Sequence, residues 1–191
     1  MTSSLNMGLI GSGFMGQIHA DAYRRAGILY RNLPRTPALY AIADKNEELA
    51  EGARRRLGFQ KAYGDWRRLI EDPGVHVVDI TTPNHLHVDV ALAAIEAGKH
   101  IYCEKPMAVR AEDAQRMAAA AKRAGVYTMV AFNNLKTPAA LVAGQILKRG
   151  EIGEPVRFRG RYRNSTPVTA ARSPWTPKSA PWRTRIRFSR W

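Results

Sequence analysis

Leu5-Asn6-Met7-Gly8-Leu9-Ile10 runs straight into Gly11-Ser12-Gly13-Phe14-Met15-Gly16, and this junction decides the fold. A largely apolar run of strand length opens into three glycines spaced Gly-x-Gly-x-x-Gly, and Phe14–Ala26 then reads as a helix. Each glycine has its own use. The first permits a tight turn, the second lets a pyrophosphate approach the backbone, and the third lets helix and strand pack closely. The helix N-terminus aims its N–H groups at the anion. Gly11, Gly13 and Gly16, with Phe14 and Met15 between them, are therefore candidate contacts for a dinucleotide. A glycine-rich turn without a ligand has the same local pattern, so the residues downstream must decide between the two.

Dinucleotide-binding folds place an acidic residue at the end of the second strand, about 20 residues past the glycines. Asp44 follows Tyr40-Ala41-Ile42-Ala43, 28 residues past Gly16. An inserted loop over 27–37, with arginines and prolines, accounts for the extra distance. A carboxylate there accepts from both ribose hydroxyls of NAD and repels the 2′-phosphate of NADP, although Lys45 next to it softens that preference. The expectation is NAD over NADP. Asp44 capping the following helix is the alternative.

Strand-like and helix-like segments then alternate through the first 154 residues. This predicts an α/β fold, a Rossmann-type doubly wound parallel sheet. Ala38–Ala43 is the second strand. Asn46 caps a helix with Glu47 and Glu48 in its first turn and Arg54, Arg55 and Arg56 in its last, which suits the helix dipole without any ligand. Val75–Thr81 is a strand ending in Thr82-Pro83-Asn84, with Asn84 placed to cap the next helix. Lys99–Cys103 delivers Glu104-Lys105-Pro106. Glu112–Ala124, Tyr127–Phe132 and Pro138–Lys148 read as helix, strand and helix.

Ligands of open α/β sheets bind beyond the carboxyl ends of the strands. That edge gathers the glycine loop, Thr82-Pro83-Asn84 and Glu104-Lys105-Pro106. Lys105 beside a cationic nicotinamide and partly out of water would favour the neutral amine, a usable base. A surface lysine before a turn-forming proline is the other reading. Asn133, Asn134 and Lys136 follow another strand end and either line the same cleft or cap the next helix. His85 and His87 are two apart early in a helix, poor spacing for a shared metal, and no metal is assigned. Cys103, the sole cysteine, reads as a small core residue and excludes intrachain disulfides.

The chain has 191 residues, 45% hydrophobic and 24% charged, a globular composition. Residues 1–154 hold 20 basic and 16 acidic residues, whereas 155–191 hold 10 basic and no acidic residues. The charge of +14 therefore sits mostly in the tail, which argues against a specific nucleic-acid interface. A basic tail interleaved with tryptophan, as in Pro181–Trp191, keeps single-stranded nucleic acid or an anionic membrane open as a minor reading. Neither a signal peptide nor an apolar membrane span is evident, and cytoplasm is the expected location.

Three segments result: a dinucleotide-binding domain over 1–154, a strand over 155–163, and an irregular basic tail over 164–191. Val156–Arg163 alternates apolar or small residues with arginine, the period of a strand with one buried face. Residues 164–191 contain no Leu, no Gly and four prolines, and are expected to stay loosely ordered.

Residues 8–16, Asp65-Trp66, Thr82-Pro83-Asn84 with His87, and Gly98-Lys99-His100-Ile101-Tyr102-Cys103-Glu104-Lys105-Pro106 together resemble the Gfo/Idh/MocA oxidoreductases. The resemblance spans about residues 5–160. It implies a Rossmann domain followed by an α/β substrate domain, with sugars or polyols oxidised by NAD(P). It makes Lys105 the catalytic lysine and places Thr82, Pro83, Asn84, His87 and Glu104 against the cofactor. The family's substrate domain carries an Asp and a His that assist the lysine, yet no Asp, Glu or His follows Glu154 here. The expectation is a C-terminal domain cut short or frameshifted after its first strand, with impaired catalysis and doubtful oligomer formation. A non-catalytic dinucleotide-binding module or an inert fragment is the competing function.

Overall fold

The computed structural model describes residues 3–157 and 159. The part up to Gln145 forms one compact unit, and a second begins at Ile146. In the first unit, six parallel strands make one sheet in the order β3-β2-β1-β4-β5-β6. They are β1 (Ser3–Ile10), β2 (Arg35–Ala43), β3 (Lys61–Tyr63), β4 (Val77–Ile80), β5 (His100–Cys103) and β6 (Thr128–Val130). Their connections carry α1 (Phe14–Leu29), α2 (Glu47–Leu57), α3 (Trp66–Glu71), α4 (His87–Glu96) and α5 (Ala111–Ala124), and α6 (Pro138–Lys148) follows β6. The strand order reverses between β1 and β4, so the glycine loop after β1 sits at the topological switch point. This is the doubly wound Rossmann architecture that the sequence predicts.

Burial explains the register. β4 is buried along its whole length, and Ile10, Val78, Ile80, Ile101 and Cys103 pack with Val90, Ala94 and Ile95 of α4. Leu9, Ala20, Ile42, Ala53, Leu57 and Phe59 form a separate cluster beneath α1 and α2. Asn46 caps α2 as expected, its side chain accepting from the Leu49 N–H at 2.9 Å, and Arg54 and Arg55 both pair with Glu51 rather than with a ligand.

Two expectations need correction. The loop placed over 27–37 is shorter, because α1 runs on to Leu29 and β2 already begins at Arg35. Gly27 is not a helix stop: a Cβ there would lie 3.0 Å from the Thr36 methyl, so glycine lets β2 pass close. Pro37 is tolerated inside β2 because β3 covers only Ala41–Ala43, leaving the proline on an unpaired edge. Asn84, expected to cap the next helix, instead starts a 3-10 turn over Asn84–Leu86. Pro83 sets that turn, and its carbonyl accepts from the Leu86 N–H at 2.9 Å.

Asp72, at the end of α3, locks the β2–β3 corner. It accepts from Lys61 Nζ and the Tyr63 hydroxyl at 2.7 Å each, and from the Gly74 N–H at 2.8 Å. Burial alone would raise its pKa, but these donors outweigh burial and bring it to about 2. A folded-state value below the ordinary carboxylate range means the contribution is complete above about pH 4 and lost as pH falls toward 2. Asp72→Ala is expected to cost about 1–3 kcal/mol, read from urea unfolding, because it removes the acceptor of the partly buried Tyr63 hydroxyl and Gly74 N–H.

The strand expected over Val156–Arg163 lies mostly outside the described residues, and 155–157 and 159 have no regular structure. The tail over 164–191 lies outside them altogether.

Candidate dinucleotide and substrate site

The glycine loop is shaped as its spacing requires. Gly11 has φ +101°, a left-handed conformation disfavoured for other residues, and a Cβ there would lie 2.9 Å from the Thr81 carbonyl oxygen. A Cβ on Gly16 would run into the Gly11 carbonyl. Gly13 differs: it is exposed, and nothing lies within 4 Å of the place its Cβ would take. It sits at the N-cap of α1 with no side chain capping the helix, so the helix N–H groups face a bare approach. Phe14 is 74% exposed beside it, and Met15 is half-buried.

Asp44 closes over this loop from the end of β2. Its Oδ2 accepts from the Ser12 N–H at 2.9 Å and from the Ser12 hydroxyl, and its Oδ1 accepts from the Lys45 N–H at 2.7 Å. Partial burial works against the charge, but the Ser12 and Lys45 donors hold the carboxyl below its ordinary range. Asp44 is thus a fixed anion beside Gly13, with lone pairs to spare for hydroxyl donors.

At the end of β4, the Thr81 hydroxyl donates to the Gly11 carbonyl at 2.7 Å, tying that loop to the glycine loop. Thr82 Oγ1 is buried and has no hydrogen-bond partner, an orphan that a bound polar ligand would satisfy. Pro83 and Asn84 are exposed on the same rim. The orphan hydroxyl, the open approach at Gly13 and the fixed Asp44 carboxylate together fit a dinucleotide.

His87 belongs beneath the site rather than on its lining. It is fully buried, with Nδ1 2.8 Å from the Pro106 carbonyl oxygen and Nε2 3.0 Å from that of Thr82. It therefore staples the loop after β4 to the loop after β5. Glu104 is also buried. Its Oε2 accepts from the Lys105 N–H at 2.9 Å and lies 3.7 Å from Lys105 Nζ. Lys105, 59% exposed along its side chain, shares a shallow cleft of about 310 Å³ with Ala131, Phe132, Asn133, Asn134 and Leu135. Asn133 and Asn134 thus join Lys105, while Lys136 is not part of the lining. Cys103 is buried, its S–H near the Glu104 carbonyl, and burial pushes the thiol up to about 12, so it is a core residue and no nucleophile. No cluster suited to a metal exists among the described residues.

Two residues of this region escaped the sequence reading. His19 of α1 and Asp79 of β4 are buried together beneath the loops, with His19 Nδ1 2.9 Å from Asp79 Oδ2. The signal was present but faint: an aspartate inside the apolar run Val75–Thr81, and a histidine on the helix face shared with Gly16 and Ala20.

Residues 5–132 match the family described as "Oxidoreductase family, NAD-binding Rossmann fold". The chain belongs to the Gfo/Idh/MocA oxidoreductases. Residues 5–132 are their NAD-binding domain. Levoglucosan dehydrogenase of Pseudarthrobacter phenanthrenivorans is 48% identical over 159 residues, covering 83% of this chain and 41% of that protein. Myo-inositol 2-dehydrogenase of Thermotoga maritima is 31% identical, covering 85% of this chain and 46% of that protein. Among solved structures, an NAD binding oxidoreductase from Klebsiella pneumoniae superposes with a TM-score of 0.79 at 66% identity, over 81% of this chain and 41% of that one. Levoglucosan dehydrogenase in complex with NADH and levoglucosan superposes with a TM-score of 0.77 at 48% identity, over 79% of this chain and 41% of that one. The chain spans less than half the length of these relatives. No helix among the described residues is long and apolar enough to cross a membrane.

Proposed function

We propose that this chain supplies the NAD-binding half, including the catalytic lysine, of an oxidoreductase acting on a sugar- or polyol-type alcohol. The observation that carries the reading is the meeting of three strand-end loops: a glycine loop open at Gly13, an orphaned Thr82 hydroxyl, and Lys105 on a cleft. The 48% identity to levoglucosan dehydrogenase and the likeness to inositol dehydrogenases support the substrate class. NAD, when bound, would accept hydride from the carbinol carbon. Gly11, Gly13 and Gly16 with the α1 N-terminus would hold its pyrophosphate, and Asp44 its ribose hydroxyls. Phe14, Met15, Thr82, Pro83 and Asn84 would line the remainder. Lys105 Nζ would take the hydroxyl proton as the C–O bond becomes a carbonyl, and Asn133 and Asn134 would hold other hydroxyls of the substrate. Residues 1–154 are the cofactor domain in this reading, with the strand over 155–163 opening a substrate domain. Catalysis by the 191-residue stretch alone is impaired.

Calorimetric titration tests the cofactor part. NADH should bind, and NADPH should bind at least about tenfold more weakly, since Asp44 faces the position of the extra phosphate. Asp44→Ala should weaken NADH by about ten- to a hundredfold, the loss of charged hydrogen bonds worth ~1.5–3 kcal/mol. NADPH should lose much less, or gain, because a repulsion disappears. Equal losses for both cofactors would mean that Asp44 acts only by holding Ser12, and would sink the NAD preference.

A further inference from the structure

Four ionisable groups of alternating sign run in a line beneath the cleft. Asp79 Oδ1 and Oδ2 lie 3.1 and 2.9 Å from His19 Nδ1, and His19 Nε2 lies 3.3 Å from Glu104 Oε1. The other oxygen of Glu104 faces Lys105, 2.9 Å from its N–H and 3.7 Å from its Nζ. The line joins three elements. His19 stands on α1 one turn past Gly16, Asp79 lies within β4, and Glu104 follows β5. It therefore links the helix that opens at the glycine loop to the loop that carries Lys105.

We propose that His19 is a positioning residue, clamping Glu104 between α1 and β4 so that the free carboxylate edge is presented to Lys105. This rests on the reading of Lys105 as the proton acceptor. With both carboxylates ionised, one protonation state of His19 satisfies both neighbours. Each ring nitrogen faces a carboxylate, and each needs an N–H to make its bond. A neutral imidazole would set a bare nitrogen lone pair against a buried anion. Burial pushes the Asp79 carboxyl up, and the His19 ring and the Tyr23 hydroxyl oppose that push. From α1, the Tyr23 hydroxyl donates to Asp79 Oδ2 at 2.6 Å, which keeps Asp79 an acceptor. From β5, Tyr102 stacks on the His19 ring at 5.3 Å between centroids and is the cross-strand partner of Asp79. Cys103, next to Glu104, is a buried thiol held protonated. Burial works against the imidazolium, but Asp79 and Glu104 outweigh it and hold its proton above the ordinary histidine range.

Removing His19 would leave two buried carboxylates without the cation between them. One must take a proton or turn away, and Lys105 loses its fixed anionic partner. A histidine that only filled space would leave Lys105 untouched.

The first measurement is made on the unmutated chain labelled with 15N-histidine, which contains five histidines. Long-range 1H–15N spectra should show both His19 nitrogens protonated at pH 7.5, and Glu104→Gln should move the His19 midpoint down by about one pH unit or more. A neutral His19 at pH 7 in the unmutated chain would overturn the proposal. The second measurement is acylation of lysines by an amine-reactive ester, followed by peptide mass spectrometry. His19→Ala and Glu104→Gln should each speed labelling of Lys105 about threefold or more. Lys99, whose Nζ is held by the Asp72 and Val75 carbonyls at 2.9 Å each, reports on folding and should not change. Unchanged labelling of Lys105 in a folded His19→Ala would also overturn it. If His19→Ala loosens Lys99 as well, the spectra and Glu104→Gln decide. A relative whose turnover survives loss of the equivalent lysine would instead remove the proton-acceptor reading, leaving the clamp on Glu104 intact.

Discussion

Gly13→Val is expected to abolish NADH binding, a loss of at least about a hundredfold or ~3 kcal/mol, without changing the unfolding midpoint. The two halves of that expectation come from one observation. Nothing in the protein lies within 4 Å of a Cβ at Gly13, and its backbone is not in the left-handed region, so valine meets no neighbour and little strain. The space it would fill lies over the N-terminus of α1, where the pyrophosphate is expected. Gly16→Val is the contrasting variant. Its side chain would collide with the Gly11 carbonyl, so it should lower stability and binding together. The measurements are calorimetric NADH titration and thermal unfolding of each variant. A Gly13→Val protein that binds as tightly as the parent would show that the loop does not hold the cofactor.

The glycine loop was legible because each of its features is local. Spacing, a preceding apolar strand and a following helix all lie within 25 residues, and the structure places Gly11, Gly13 and Gly16 where those features require. Capping chemistry was equally readable at Asn46. At Asn84 it misled, because Pro83 inserts a 3-10 turn before α4 and shifts the helix start to His87. β3 and α3 were missed for lack of length: three residues, Lys61–Tyr63, are too few to show a period, and α3 spans only six. His19, Asp79 and the burial of His87 were hidden for a different reason. A buried polar cluster is assembled by pairing between α1, β4 and β5, 60 and 85 residues apart along the chain, and no periodicity records such a meeting. The motif singles out Lys105 in the sequence, whereas the line from Lys105 through Glu104 to His19 shows only in three dimensions.

The 191-residue chain is expected to bind NADH yet turn over levoglucosan, inositols or other polyols at least about a hundredfold more slowly than its longer relatives. Holding the carbinol carbon in attacking geometry accounts for a large part of such a rate, up to several kcal/mol. Here the cleft at Lys105 is shallow, lined by Ala131, Phe132, Asn133, Asn134 and Leu135, and the Lys105 side chain is 59% exposed. Among the described residues, the carboxylate paired with its Nζ, at 3.7 Å, is Glu104, which is already engaged by His19. Water that is not displaced from the cleft also competes for every hydrogen bond that should position the sugar. The assay is NADH formation from a panel of anhydrosugars, inositols and polyols at high protein concentration, run beside Lys105→Ala. Robust turnover that vanishes in Lys105→Ala would show that this cleft suffices without a further wall. Turnover that persists in Lys105→Ala would remove the lysine from the reaction. Binding of NADH with no turnover in either protein is the expected result, and it would locate the missing acceleration in substrate positioning rather than in the cofactor loop.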